Sequence, residues 1–396
     1  MVKNIIIDII GSFADGKTTL VRALTSESTL RHSEEKKRGI TIRLGYAHFI
    51  LYKCTECSAF SRHEKCELCG GKAEMFYRVS IIDSPGHKTL MTIMLSGAPL
   101  TSGAVLVVAA NQTCPQPQTE EHLETIKIMG IKNLVVAQTK VDIVGAERAK
   151  KSKEEIQAFL AKNGFGGTKI IPVLSIHDIN ITELIQEIGK FSPIEYDSGK
   201  PKMLVVRSFD VNRPGTDISS LNGGVLGGGL VSGQLSTSDK IRIYPGVLIN
   251  DTWKPIDTEV AEIQSEFGKE EKAVSGLMIG VKTKIDPSFA RRDSLAGSLI
   301  VSRDNPPEFK DRISITYLPL AEKEKNIFKK PIQKNETVLL NILSSKILGT
   351  VISTQNNKIT IIFNNSLLPY YIGDKAIISR KVDNVWVLAG SGTVYA

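Results

Sequence analysis

The chain begins with an Ile-rich apolar run, Asn4–Ile10, that ends at Gly11. A Gly/Lys/Thr turn follows, and then Leu20–Leu24 with apolar residues at helical spacing, which reads as strand, loop, helix. Further short apolar runs lie at Val79–Ile82, Ala104–Ala109, Leu134–Ala137 and Ile170–Leu174, while Glu120–Met129 and Ser152–Ala161 carry charge with helical periodicity. Continuous apolar strands alternating with amphipathic helices predict a mainly parallel sheet covered on both faces. Beyond Ser192 the pattern changes. Behind a Gly/Lys/Pro linker at Ser198–Lys202, short β-branched runs are bounded by Gly, Asp and Pro up to the C-terminus. Turn clusters at Val211–Thr216, Gly223–Gly229, Arg303–Pro307 and Gln355–Lys358 predict one or two β-barrels. The expected division is an α/β domain over 1–200, a barrel over 201–305 and a second barrel over 306–396, the barrels meeting near Asp304–Glu308.

With 396 residues, 41% of them hydrophobic and 23% charged, the chain has the make-up of a globular protein with several buried cores, which excludes disordered and collagen-like classes. No apolar run reaches the ~18 residues of a membrane span, and the first run leads into a glycine loop instead of a cleavage site. A cytoplasmic protein without membrane contact is expected. The net charge of +8 divides as +3 over 1–200, zero over 201–300 and +5 over 301–396. That balance permits an anionic partner such as RNA, and ordinary solvated faces account for it equally well. The cysteines change the picture more. Cys54, Cys57, Cys66 and Cys69 fall within sixteen residues, whereas a disulfide framework would be spread along a secreted chain. Two CxxC knuckles each offer two thiolates from one tight turn, a tetrahedral set for Zn²⁺, in an insert spanning 52–72. His63, between the knuckles, is not expected to be a ligand. The fifth, Cys114, lies in a proline-rigid loop with no paired histidine and is read as structural.

Gly11-Ser-Phe-Ala-Asp-Gly-Lys17-Thr18 fits the phosphate-binding pattern G-x-x-x-x-G-K-[ST] and stands between a strand and a helix, as that chemistry requires. Ala14, Asp15, Gly16, Lys17, Thr18 and Thr19 are the expected phosphate contacts. Lys17 would reach the β/γ oxygens, and the Thr18 hydroxyl would meet Mg²⁺. Order along the chain then separates GTP from ATP: Thr41 in Arg38-Gly-Ile-Thr41, Asp83-Ser-Pro-Gly86-His87, and Thr139-Lys140-Val-Asp142. Thr41 supplies a second hydroxyl to the metal, Asp83 a carboxylate acting through water, and Gly86 an amide near the γ-phosphate. Asp142 can accept from the N1–H and the exocyclic amine of guanine, a donor pair that adenine lacks, while the Lys140 stem lies along the base.

Arg-Gly-Ile-Thr and Asp-x-Pro-Gly-His together resemble the translational GTPases. That resemblance implies that His87 positions the attacking water and that Lys17, Thr41 and Gly86 complete the catalytic set. Three departures stand out. Thr139 replaces an asparagine and can still donate a hydroxyl. Ala14-Asp15 replaces Asp-His, placing a carboxylate in the phosphate loop that weakens nucleotide binding unless a cation is near or the side chain faces solvent. Leu174-Ser175 replaces Ser-Ala, leaving the Ser175 amide as the base cap. The knuckle insert, the run Ala109–His122, and the segments Val206–Thr216, Gly223–Gly229 and Lys381–Gly390 are similar to those of one family among these GTPases, the gamma subunits of eukaryotic and archaeal translation initiation factor 2. The family implies GTP/GDP, Mg²⁺ and Zn²⁺ as cofactors. It implies carriage of methionyl initiator tRNA to the small ribosomal subunit in company with alpha and beta subunits, with GTPase-activating and exchange factors as further partners. The alternatives are an elongation-type aminoacyl-tRNA carrier, a P-loop small-molecule kinase with a zinc ribbon, and a pseudo-GTPase scaffold with negligible turnover.

Overall fold

The computed structural model describes residues 3–27, 29, 44–86, 97–193, 199–320, 331–364 and 366–395. Thr41 and His87 lie outside the described residues. The chain divides into two compact units, Met1–Glu195 and Tyr196–Ala396.

In the first unit, β1 (Lys3–Gly11) leads into α1 (Lys17–Thr25), then β2 (Gly45–Cys54), β3 (Phe60–Ser61), β4 (Ala73–Asp83), β5 (Gly103–Ala109), α2 (Pro117–Met129), β6 (Asn133–Thr139), α3 (Ala146–Lys162), β7 (Ile170–Pro172) and α4 (Ile181–Ile188). The sheet order is β3-β2-β4-β1-β5-β6-β7. The five strands from β4 to β7 run parallel, and β2 and β3 join antiparallel at one edge. Every residue of β1 after Lys3 is buried, the mark of a central strand with both faces covered. Ile5, Ile7 and Ile9 pack with Leu20, Val21 and Leu24 of α1 and with Leu184, Ile185 and Ile188 of α4. The sheet is mainly parallel, as the apolar runs predict.

Two elements are additions to the sequence reading. β2 alternates buried and half-buried positions because one face of this edge strand meets the core and the other does not. It pairs with β4 from Gly45↔Asp83 to Cys54↔Ala73, so the cysteine insert is the tip of a long β2–β4 hairpin. The eight-residue helix α4 buries Ile181, Leu184, Ile185 and Ile188 on one side.

The second unit is all-β. Strands Lys240–Ile249, Leu299–Ser302, Lys202–Phe209, Val225–Ser232, Leu277–Thr283 and Thr252–Ser265 pair in that order, and the last closes on the first. A second closed barrel runs Arg312–Pro319, Lys358–Ile362, Ser345–Gln355, Thr337–Ile342, Lys375–Val382 and Val385–Tyr395. Each encloses its own apolar core, so neither leaves a free sheet edge to be managed. Lys202 of the first barrel reaches Asp374 Oδ1 at 3.3 Å and lies over the Tyr371 ring of the second, 4.5 Å from its centroid.

A candidate nucleotide site and a four-cysteine cluster

The C-terminal ends of β1, β4, β5, β6 and β7 point the same way because the strands are parallel, and each hands the chain to a loop at one rim of the sheet. That rim is where α/β sheets bind ligands. Gly11 leaves β1 at φ 145°, and a Cβ there would lie 2.3 Å from the Val107 carbonyl oxygen, so only glycine lets the loop pass the end of β5. Gly16, at φ 93°, starts α1. Lys17 is buried at 6% exposure, and its ammonium donates to the carbonyls of Gly11 at 3.0 Å and Ser12 at 2.7 Å. Gly86 closes on the same ammonium: a Cβ there would meet Lys17 Nζ at 2.2 Å and the Ser12 and Gly11 oxygens at 2.7 and 2.8 Å.

Thr18 Oγ1 donates to Asp83 Oδ2 at 2.8 Å, bringing a hydroxyl and a carboxylate to one point beside the loop. Oxygen donors of this hardness fit Mg²⁺. Thr29 also donates to Asp83 Oδ2, at 2.5 Å, a hydroxyl that the motif order does not signal. Two further residues are brought in by α2. Gln118 Oε1 accepts from Ser12 Oγ at 3.0 Å, and His122 Nδ1 accepts from the Gly11 amide at 2.7 Å. Four residues apart, they share one helix face and clasp the phosphate loop from the side. Burial drives the His122 imidazole down to about 3, so it stays neutral and serves as an acceptor.

Of the two conditions set for Asp15, the structure meets the nearby cation and not the solvent-facing side chain. Its carboxylate does not face solvent. It is 2% exposed, accepts from the Ser12 amide at 2.7 Å, and has the Lys17 ammonium as a nearby cation. Burial raises its pKa, and Lys17 and the amide oppose the rise. Thr139 is 5% exposed and donates its hydroxyl to the Asp15 carbonyl at 2.6 Å, so the threonine ties the segment carrying Lys140 and Asp142 to the phosphate loop. Lys140 turns the chain at φ 56°, and Asp142 is exposed at the rim. Ser175 follows Leu174 in a small loop closed by reciprocal amide bonds between Leu174 and Ile179, each 3.2 Å. Ala14 and Thr19 are exposed at the loop.

The four cysteines converge with all thiols within 4.8 Å of one another: Cys54 Sγ to Cys69 Sγ is 3.5 Å, and Cys57 Sγ to Cys66 Sγ is 3.6 Å. Tetrahedral Zn²⁺ with bonds of about 2.3 Å sets its sulfurs about 3.8 Å apart, so the donor set fits that ion. Each knuckle is followed by a left-handed residue, Ser58 at φ 61° and Gly70 at φ 75°, that turns the chain back. Amides of Cys57 and Glu56 point at Cys54 Sγ and pull that thiol down to about 7. His63 stands apart, its side chain 68% exposed beside Glu67. Burial pushes the Cys114 thiol up to about 12, which suits a structural residue.

The "Elongation factor Tu GTP binding domain" family matches residues 2–193, and the "Initiation factor eIF2 gamma, C terminal" family matches 315–394. Over 98% of its length the chain is 39% identical to translation initiation factor 2 subunit gamma of Methanopyrus kandleri, covering 97% of that relative. The protein of the same name from Pyrococcus furiosus is also 39% identical, over 98% of this chain and 96% of the relative. This chain belongs to the gamma-subunit family of translation initiation factor 2.

It is accordingly a translational GTPase. Solved structures bear out the three-part fold of this family. A bacterial selenocysteine-specific elongation factor superposes with a TM-score of 0.77 at 24% identity, over 99% of this chain and 58% of that one. The elongation factor SelB from Methanococcus maripaludis, solved with the GTP analogue GppNHp, gives 0.76 at 20% identity, over 100% and 79%. Of the residues expected from sequence, the structure gathers Ala14, Asp15, Gly16, Lys17, Thr18, Thr19, Asp83, Gly86 and Thr139 around the loop, with Lys140, Asp142 and Ser175 on loops at the same rim. Gln118 and His122 went unassigned although polar residues at i, i+4 on a helix's buried side are themselves a signal.

Directly behind this gamma-family loop, Asp8 is fully buried in β1 with Ser84 beside its carboxyl group. Burial raises its acid from 3.8 to about 7; Ser84 and Lys17 pull the other way and Asp83 adds to the rise. A folded-state pKa above the unfolded one means stability present at low pH and lost as pH rises from about 4 to about 7. Asp8→Asn removes that loss. In thermal unfolding of nucleotide-free protein, its Tm advantage over wild type should be larger at pH 8 than at pH 5, and equal Tm differences would rule out a buried titrating Asp8.

Proposed function

We propose that this chain carries methionyl initiator tRNA to the small ribosomal subunit in a GTP-dependent manner, assembled with the alpha and beta subunits of the same factor. The observation that carries the reading is the relationship to gamma subunits along almost the whole chain, joined to a phosphate loop, a metal-side carboxylate and a guanine-motif aspartate at one rim of the sheet. GTPase-activating and exchange partners fit the same reading, as do a cytoplasmic location and the division 1–200, 201–305 and 306–396. No helix among the described residues is long and apolar enough to cross a membrane.

In this reading the loop amides from Ala14 to Thr19 and the Lys17 ammonium hold the β- and γ-phosphates. Thr18 and Thr41 would offer hydroxyls to Mg²⁺, and Asp83 a carboxylate acting through water. The metal, when bound, offsets charge on the phosphate oxygens. His87 and the Gly86 amide orient the attacking water, while Asp142, Lys140 and the Ser175 amide hold the base. Cys54, Cys57, Cys66 and Cys69 hold Zn²⁺, which braces the hairpin tip. Asp15 speaks against the scaffold alternative, because its carboxylate accepts from the Ser12 amide and has the Lys17 ammonium nearby.

Guanine preference should depend on Asp142. Asp142→Asn turns a double acceptor into half a donor at a partly charged contact, so discrimination between GTP and ATP should fall by a factor of roughly ten to a hundred. Nucleotide binding by titration calorimetry checks this, and equal wild-type affinity for GTP and ATP would refute guanine recognition. Carrier identity is tested by filter binding of labelled methionyl initiator and elongator tRNAs to the GTP-loaded protein. The initiator species should bind at least tenfold tighter, and equal binding would favour the elongation-type alternative.

A further inference from the structure

The cysteine insert touches the rest of its unit through a few side chains, and Arg62, between the two knuckles, makes several of the contacts. Its guanidinium forks onto Asp178, NH1 to Oδ1 at 2.9 Å and NH2 to Oδ2 at 2.8 Å. NH1 also donates to the Ala23 carbonyl near the end of α1 at 2.8 Å, and Nε donates to Glu67 Oε1 at 3.1 Å. The side chain is only 12% exposed. Glu67 continues the chain of contacts, since its second oxygen accepts from Thr182 Oγ1 of α4 at 2.5 Å. Beside it, the Gln186 amide bonds both ways to the Phe60 backbone, at 2.8 and 2.7 Å, and the Phe60 ring lies so close over Gly189 that a Cβ there would be 2.2 Å from it.

These anchors converge on two elements that frame the nucleotide site. α1 carries Lys17 and Thr18 at its start and Ala23 near its end. The loop Leu174–Ile179 carries Ser175, and Asp178 lies within it. Asp178 in that loop, at φ 54°, and Asn180 just after it, at φ 59°, hold left-handed backbone, conformations that non-glycine residues keep only with support. Asn180 has its own bond, to the Pro172 carbonyl at 2.7 Å. Asp178's side-chain support comes from the insert, through an Arg–carboxylate fork, the geometry that fixes direction as well as distance.

We propose that Arg62 is a positioning residue for the guanine pocket: by gripping Asp178 and the Ala23 carbonyl together, it clamps the base-side loop to α1, and the four-cysteine closure holds Arg62 in place for that task. The proposal rests on the assignment of Ser175 to the base. It gives the insert, which lies between Thr41 and Asp83 in the sequence, a task at the base end of the site. A clamp at the base end slows nucleotide release and leaves the phosphate end untouched.

Stopped-flow release of a fluorescent GDP from the intact chain separates this role from simple bracing. Arg62→Ala and Asp178→Ala should each speed release about fivefold or more, and the double variant should be no faster than the quicker single, since both remove one shared contact. Arg62→Lys, which keeps the charge and loses the fork, should fall between. Competition by pyrophosphate, which lacks a base, should be unchanged in all four. Stripping zinc from the wild type should speed release as Arg62→Ala does. Release within twofold of wild type in Arg62→Ala and Asp178→Ala, whatever happens to Tm, would overturn the clamp. Asp142→Asn run alongside keeps the two ideas distinct: if it does not speed release, the base-pocket reading fails and takes the proposal with it, whereas fast release in Asp142→Asn with slow release in the Arg62 and Asp178 variants defeats the clamp alone.

Discussion

A buried ammonium governs the nucleotide site. Lys17 is held between the Gly11 and Ser12 carbonyls, with Gly86 pressed so close that any side chain there would collide with it. Burial lowers the lysine's pKa, and the charges of Asp15, Asp83 and Asp8 oppose that fall. In the proposed reading, a nucleotide phosphate would compete with the two carbonyls for Nζ beside Gly86.

The rest of the first unit holds that arrangement still. Parallel strands bring five loops to one rim, α2 grips the phosphate loop through Gln118 and His122, and Thr139 fastens the guanine segment to the Asp15 carbonyl. A neutral histidine is needed for its part, because only an unprotonated Nδ1 can accept from the Gly11 amide. Burial provides that, at the expense of a histidine that does not titrate near neutral pH. Asp15 is a local variation on the same theme: a carboxylate placed inside a phosphate loop is tolerable because an amide and an ammonium meet it.

Much of this was legible in the residues. The Ile-rich run before Gly11 reads as a strand, and the spacing of Cys54, Cys57, Cys66 and Cys69 anticipates the observed cluster of thiols. β2 was missed because an edge strand that is half-buried on one face carries a mixed pattern, and its Tyr46, His48 and Tyr52 blur the alternation. α4 was missed because eight residues give periodicity too little length to declare itself. The direction of the Asp15 side chain depends on Ser12 and Lys17 folding around it, which no linear pattern encodes. Arg62 looks like one more charge in a polar insert until Asp178, 116 positions away, is brought against it.

If nucleotide state is felt where Gly86 meets Lys17, it must also be felt by the RNA the protein is proposed to carry, and linkage makes the effect reciprocal. The most direct measurement is the affinity of methionyl initiator tRNA for the GTP-loaded and GDP-loaded protein at one fixed salt concentration, in wild type and Gly86→Ala. The account predicts binding about tenfold tighter or more with GTP in the wild type, and a gap that closes in Gly86→Ala while GDP affinity changes only a few-fold. Equal tRNA affinity in the two nucleotide states of the wild type would contradict it.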